Sequence, residues 1–74
     1  MGGQLTVQLL LKSEAERECI RRWRSLPRDQ RTNYDQAAAY AKALLDEIDF
    51  PTSGDRYHFV RGWLQRDLQL RGTL

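Results

Sequence analysis

Apolar residues recur with two different periods along the chain, and the change falls near residue 12. From Leu5 to Leu11 the odd-numbered positions are apolar, which is the alternation typical of a β-strand. Beyond this segment, apolar positions repeat every three or four residues, as they do on one face of an α-helix. The pattern predicts an N-terminal arm over residues 1–12 and a helical core over residues 13–70.

The arm needs a partner, because the backbone of a lone strand requires hydrogen bonds that three helices do not offer. The sequence leaves three arrangements open. The segment from Leu5 to Leu11 continues into the first helix, packs as an irregular arm, or pairs with the same segment of a second chain.

The first helix is predicted over residues 13–25. Ser13 and Glu16 have the spacing of a capping box, in which each side chain accepts a hydrogen bond from the backbone amide of the other residue. Pro27 then ends this helix or opens the next one. The buried face is expected to consist of Ala15, Cys19, Trp23 and Leu26.

The second helix is predicted to begin at Arg28 or at Asn33, since both a turn after Pro27 and a cap at Asn33 are consistent with the sequence. It is predicted to end at Ile48. Acidic residues crowd its last turn, where they oppose the helix dipole, so we expect basic residues nearby. Its apolar stripe comprises Tyr34, Ala37, Ala38, Ala41, Leu44, Leu45 and Ile48.

The third helix is predicted over residues 55–70 and carries two apolar stripes. One stripe consists of Tyr57, Val60, Leu64 and Leu68, and the other consists of Phe59, Trp63 and Leu70. The remaining arc holds His58, Arg61, Gly62, Gln65, Arg66 and Gln69, with no acidic residue. The chain is therefore predicted to be all-α, a small single domain over residues 1–74 with three helices and an extended N-terminal arm.

Composition supports a folded chain and says little about its partner. Apolar residues make up 41% of the sequence and charged residues 30%, so enough apolar surface exists to offset chain entropy. The net charge of +2 is only a weak indication of an anionic partner. A single cysteine excludes an internal disulfide and favours a cytoplasmic protein, and no segment is apolar and long enough to span a membrane.

The residues that commonly carry catalysis are scarce in this sequence. Cys19 falls on the apolar face of the first helix, which is typical of an inert buried thiol. His58 is the only histidine, and with the acidic residues near Asp46 it makes a poor set of metal ligands. We therefore expect no enzymatic activity, no cofactor, no metal and no small-molecule substrate.

The acid-free arc of the third helix predicts DNA binding. Arginine and glutamine side chains read the edges of guanine and adenine, and a helix fits the major groove. The predicted reading residues are His58, Arg61, Gln65, Arg66 and Gln69. Arg28 and Arg31, in the turn before the second helix, are expected to contact phosphates. A solvated helix face without a ligand is the alternative explanation of the same residues.

Residues 23–34, followed by Ala38, resemble the junction between the second and third helices of a high-mobility-group box. The resemblance covers about twenty residues and rests on Trp23, a Leu-Pro pair, a basic residue and Tyr34. In that family a basic arm and a further helix precede the junction. Here the preceding segment is short and carries only Lys12, so the residues that wedge into DNA in that family are not assigned to this chain.

Protein binding is the rival prediction. The stripe of Phe59, Trp63 and Leu70 is rich in aromatic residues, which are favoured at interfaces. Either the N-terminal arm covers this stripe or a second copy of the chain covers it in a homodimer. Small helical proteins of this kind also act as adaptors, or as inhibitors that phages and plasmids direct against host enzymes.

Overall fold

The computed structural model describes residues 8–71, most of which lie in three α-helices. The elements are β1 (Gln8–Leu9), α1 (Lys12–Arg24), α2 (Tyr34–Leu45), β2 (Ile48–Asp49) and α3 (Arg56–Leu70), with a 3-10 turn at Arg28–Gln30 before α2. The predicted all-α class with three helices is confirmed. The part of the predicted arm from Leu5 to Val7 lies outside the described residues.

Helix α1 begins one residue earlier than its sequence pattern predicts. The Glu14 carboxylate accepts a hydrogen bond from the backbone amide of Leu11 at 3.0 Å, so the first turn forms from Lys12 onward. The capping box predicted at Ser13 and Glu16 is therefore wrong, because Ser13 lies inside the first turn.

Helix α2 begins after Asn33, the second of the two predicted starts. The Asn33 side chain accepts from the Gln36 amide at 2.8 Å, and the Gln36 side chain accepts from the Asn33 amide at 3.3 Å. Gln36 also donates its side-chain amide to the Asp29 carbonyl at 2.9 Å, which ties the 3-10 turn to the helix. This reciprocal capping stabilises a helix start at Asn33 and explains why the turn after Pro27 stays separate.

The end of α2 differs from the prediction, because the helix stops at Leu45 and Ile48 belongs to β2. Strand β2 pairs in parallel with β1, so that Gln8 lies opposite Ile48 and Leu9 opposite Asp49. The described part of the arm thus finds its backbone partner within the same chain. This pairing is none of the three arrangements considered from the sequence.

The core lies between the three helices and includes the first half of the α2–α3 connection. Ala37 and Ala41 are fully buried, and their small side chains let α2 pack closely against its neighbours. Ile48 is buried although it is not helical, so its predicted burial is correct for a different reason. The other buried apolar residues are Ala15, Cys19, Trp23, Leu44, Phe50, Val60, Leu64 and Leu68.

Basic side chains lie beside the acidic end of α2, as predicted. A terminal nitrogen of Arg22 lies 2.6 Å from a carboxylate oxygen of Glu47, and Arg56 lies 3.3 Å from Asp49. Arg56 also donates to the Ile48 carbonyl at 3.0 Å, which holds the connection against the start of α3. Within residues 8–71, no helix has the length and apolar character needed to cross a membrane.

Candidate functional site

Helix α3 turns one side to the core and the opposite side to solvent. Val60 and Leu64 are buried, and Gly62 lies two residues from each, about 200° around the helix. Gly62 is therefore at the centre of the solvent side. We define the outer face of α3 as the exposed residues His58, Gly62, Arg66 and Gln69.

The outer face makes few contacts with the rest of the molecule. Within residues 8–71, Arg66 has no hydrogen bond and no ion pair. Gln69 donates its side-chain amide to the hydroxyl of Tyr34, which fixes one end of the face. A Cβ atom placed on Gly62 would meet nothing within 4 Å, so internal packing does not require a glycine there.

Arg61 and Gln65 flank the outer face and are half-buried. The Arg61 guanidinium lies over the ring of Tyr57, 5.4 Å from its centroid, and one terminal nitrogen lies 3.3 Å from Nδ1 of His58. Its Nε is buried and has no hydrogen-bond partner within the described residues. Arg61 is therefore less available to a ligand than its position in the sequence suggests.

The two predicted phosphate contacts lie apart from the outer face. Arg28 is exposed and Arg31 half-buried, and both line a cavity of about 290 Å³ together with Trp23, Asp67 and other residues. No residue of the outer face lines this cavity. The structure therefore divides the predicted nucleic-acid residues into two groups.

The predicted protein-interface stripe is divided as well. Phe59 and Trp63 are half-buried: the Lys12 ammonium lies 3.6 Å from the centroid of the Phe59 ring, and Phe50 packs against Trp63 with ring centroids 5.3 Å apart. Leu70 is 76% exposed. The two aromatic residues thus contribute to the fold, and Leu70 is the part of the stripe that is open to a partner.

An ion pair that was not expected from the sequence joins α1 to α3. Arg24 donates from Nε and from a terminal nitrogen to the same oxygen of Asp67, at 3.0 Å and 2.6 Å. Asp67 is only 4% exposed. A signal was present, because Asp67 lies three residues after Leu64 and so falls on the buried side of α3, where a carboxylate needs a cation.

The side chains considered for catalysis do not form a site within the described part of the chain. Cys19 is fully buried, and burial raises the pKa of its thiol to about 11, so the thiol is protonated at neutral pH. Among residues 8–71, no three His, Cys, Asp or Glu side chains are grouped closely enough to hold a metal ion.

Comparison with protein-family models, with curated proteins and with solved structures finds no match to this chain. Function therefore has to be inferred from the chemistry of the exposed residues.

Proposed function

We propose that this chain is a non-catalytic DNA-binding protein that presents the outer face of α3 to a duplex. The observation that carries the proposal is the absence of carboxylates from the exposed side of a helix that displays Arg66, an arginine without an ion pair among residues 8–71. DNA carries one negative charge per about 1.7 Å of axis, so a carboxylate on the contacting face would be repelled wherever it met the duplex.

The shape of the outer face also suits a groove. Helix α3 has 15 residues and is about 22 Å long, and the major groove admits an α-helix. Gly62 at the centre of the face allows close approach of the helix backbone, while Arg66 and Gln69 are residue types that read base edges. Residues 46–55 separate α2 from α3, so the arrangement differs from a strict helix-turn-helix.

The direct test is fluorescence anisotropy with a labelled duplex of about 20 base pairs at about 50 mM and about 200 mM salt. We expect binding at low salt with a Kd in the micromolar range or below. Arg66→Ala should weaken it: a lost phosphate contact lowers the salt slope by about one unit, and a lost base contact costs about 1–3 kcal/mol for the preferred sequence.

The matched control is Arg17→Ala, which removes one exposed arginine from α1 and leaves α3 unchanged. Circular dichroism should show that both variants keep the helical content of the parent chain. Equal weakening by Arg17→Ala and Arg66→Ala would indicate non-specific attraction to net charge and contradict a binding face on α3. Failure to bind any duplex at low salt would remove the proposal.

Protein binding is the second candidate, and exposed leucines favour it. Leu9 and Leu11 are 73% and 64% exposed and line an open groove with Phe50 and Pro51, and Leu70 is 76% exposed at the end of α3. The partner we consider is a second copy of the chain. Light scattering at high concentration should then show dimers that Leu70→Ser or Leu9→Ser weakens, whereas a strict monomer at every concentration contradicts self-association.

A further inference from the structure

A cavity at the C-terminal end of α3 gathers arginines from separate parts of the chain. Its volume is about 290 Å³, and its lining includes Trp23, Arg28, Arg31, Asp67, Leu68 and Arg71. Trp23, Leu68 and Asp67 are 1%, 4% and 4% exposed, so the inner wall combines apolar side chains with one buried carboxylate. Charges at the rim of such a cavity are screened less than charges on an open surface.

The charge of the cavity is positive even after its one carboxylate is counted. Arg28, Arg31 and Arg71 contribute three positive charges, and Asp67 contributes a negative charge that Arg24 already neutralises from the side. The C-terminal end of the α3 dipole adds only about half a negative charge. The three arginines that line the cavity therefore lack a carboxylate partner among the described residues.

These guanidinium groups have hydrogen-bonding capacity left. Arg31 donates its Nε to the Leu26 carbonyl at 2.9 Å, which fixes the side chain and leaves its terminal nitrogens without a partner among the described residues. Within residues 8–71, Arg28 and Arg71 have no side-chain hydrogen bond or ion pair. The cavity thus offers several N–H donors to a ligand that accepts many hydrogen bonds.

We infer that this cavity binds a phosphate group. Phosphate carries charge and acceptor oxygens in several directions, so it suits arginines that line one cavity from different elements, and arginine pairs with it through two parallel hydrogen bonds. The volume lies at the lower end of the roughly 300–1,000 Å³ typical of ligand sites, which fits a small anion or a single phosphate of a larger molecule. The inference is independent of contact between α3 and DNA.

The experiment is a titration of the 74-residue chain with inorganic phosphate at constant ionic strength, with NMR as the readout. The chain has two tryptophans, and only Trp23 lines the cavity. We expect saturable shifts of the Trp23 indole signal and of the Arg31 Nε–H signal, with the Trp63 indole signal unchanged. A parallel titration with chloride should produce neither shift.

Two cavity variants and one control variant locate the binding. Arg28→Ala and Arg71→Ala each remove an exposed side chain that has no partner among residues 8–71, so both should fold, and each should weaken phosphate binding about tenfold or more. Arg17→Ala should leave phosphate binding unchanged. Binding that does not saturate, that chloride reproduces, or that Arg17→Ala weakens equally would overturn the inference.

A third titration, with dimethyl phosphate, distinguishes the source of the group. Saturation by inorganic phosphate alone supports a free phosphate or a phosphomonoester, whereas saturation by dimethyl phosphate as well supports a phosphodiester such as a nucleic-acid backbone. If phosphate binds and no duplex does, the cavity stands and the proposed DNA face fails. If a duplex binds through Arg66 and phosphate does not bind, the proposed DNA face is supported and the proposed phosphate site is rejected.

Discussion

Three arginines of α1, namely Arg21, Arg22 and Arg24, contact carboxylates, whereas Arg61 and Arg66 of α3 contact none among the described residues. In α1, Arg21 and Arg22 both hydrogen-bond to Glu18, at 2.6 Å and 2.7 Å, and Arg24 reaches Asp67 on α3. These side chains are counted in the net charge of the protein. Each of them already forms an ion pair with a carboxylate of the same chain, so its charge is less available to a partner.

Two arginines of α3 differ from these, although Arg56 at its start pairs with Asp49. Within the described residues, Arg66 makes no ion pair, and Arg61 contacts only a histidine nitrogen and an aromatic ring. Net charge alone hides this difference, because the net value of +2 counts paired and unpaired arginines alike. Affinity for an anionic partner depends on the arginines without a carboxylate partner, which among the described residues include Arg17 of α1, Arg66 on the outer face and the three arginines of the cavity.

Among the variants that compare paired with unpaired arginines, Arg24→Ala is expected to have the largest effect on stability. The substitution leaves the carboxylate of Asp67 buried without its cation, and the free energy of unfolding should fall by about 2–3 kcal/mol. The value is below that of a fully buried pair because the Arg24 side chain is itself 48% exposed. Urea denaturation measures the change.

The neutral variant Asp67→Asn provides the control for this loss. Combined with Arg24→Ala it removes the buried charge, so the double variant should recover much of the lost stability. Arg66→Ala should leave the free energy of unfolding nearly unchanged. If Arg24→Ala is as harmless as Arg66→Ala, the distinction between paired and unpaired arginines has no energetic basis.

The sequence predicted well what depends on neighbouring residues. Apolar spacing identified all three helices and most of the core, and the Asn33 cap was one of the two starts predicted for α2. The predicted start of α1 was wrong by one residue, because it depends on which of two nearby glutamates accepts a hydrogen bond from the backbone amide that precedes the helix. Glu14 does so, and Glu16 was expected to.

Features that join distant segments could not be read from spacing. The pairing of β1 with β2 joins residues 40 positions apart, since Gln8 lies opposite Ile48. Arg24 and Asp67 are 43 positions apart. The cavity likewise combines the α1–α2 connection with the end of α3, so Arg71 received no role from the sequence. Helix periodicity gives the direction of a side chain but not the element that it meets.

A smaller effect is expected at the paired arginines of α1 as the pH falls. Hydrogen bonds from Arg21 and Arg22 lower the pKa of Glu18 from 4.5 to about 2. A lowered pKa means that the folded state prefers the charged carboxylate, so the stabilisation is complete above pH 4.5 and is lost as the pH falls through 2. Glu18→Gln should reduce the free energy of unfolding by about 1 kcal/mol at neutral pH, since solvent screens these pairs.

The pH dependence of that difference is the critical measurement. Urea denaturation of the parent chain and of Glu18→Gln at several pH values should show two stability curves that converge as the pH decreases from 4.5 toward 2. If the difference in the free energy of unfolding between the two proteins stays constant over this range, the charge of Glu18 does not stabilise α1. The contacts of Glu18 would then stabilise the helix through packing alone.

The smallest effect on stability is expected at Gly62, where two measurements should change in opposite directions. Glycine inside a helix costs about 0.5–1 kcal/mol relative to alanine, and a Cβ at this position meets nothing within 4 Å. Gly62→Ala should therefore raise the free energy of unfolding by about that amount. If a duplex approaches the helix backbone at this point, the added methyl group lies between them, and affinity for DNA should fall.

Gly54→Ala is the matched control, because its Cβ would lie 3.0 Å from a ring carbon of Phe59 and the residue is outside the helices. It should not raise stability, and it should leave DNA affinity unchanged. A loss of affinity in a Gly62→Ala variant that is more stable than the parent cannot be explained by unfolding, so it would locate the contact on the outer face of α3. Unchanged affinity would contradict close approach of DNA at Gly62 and leave only the longer side chains, Arg66 and Gln69, to make contact.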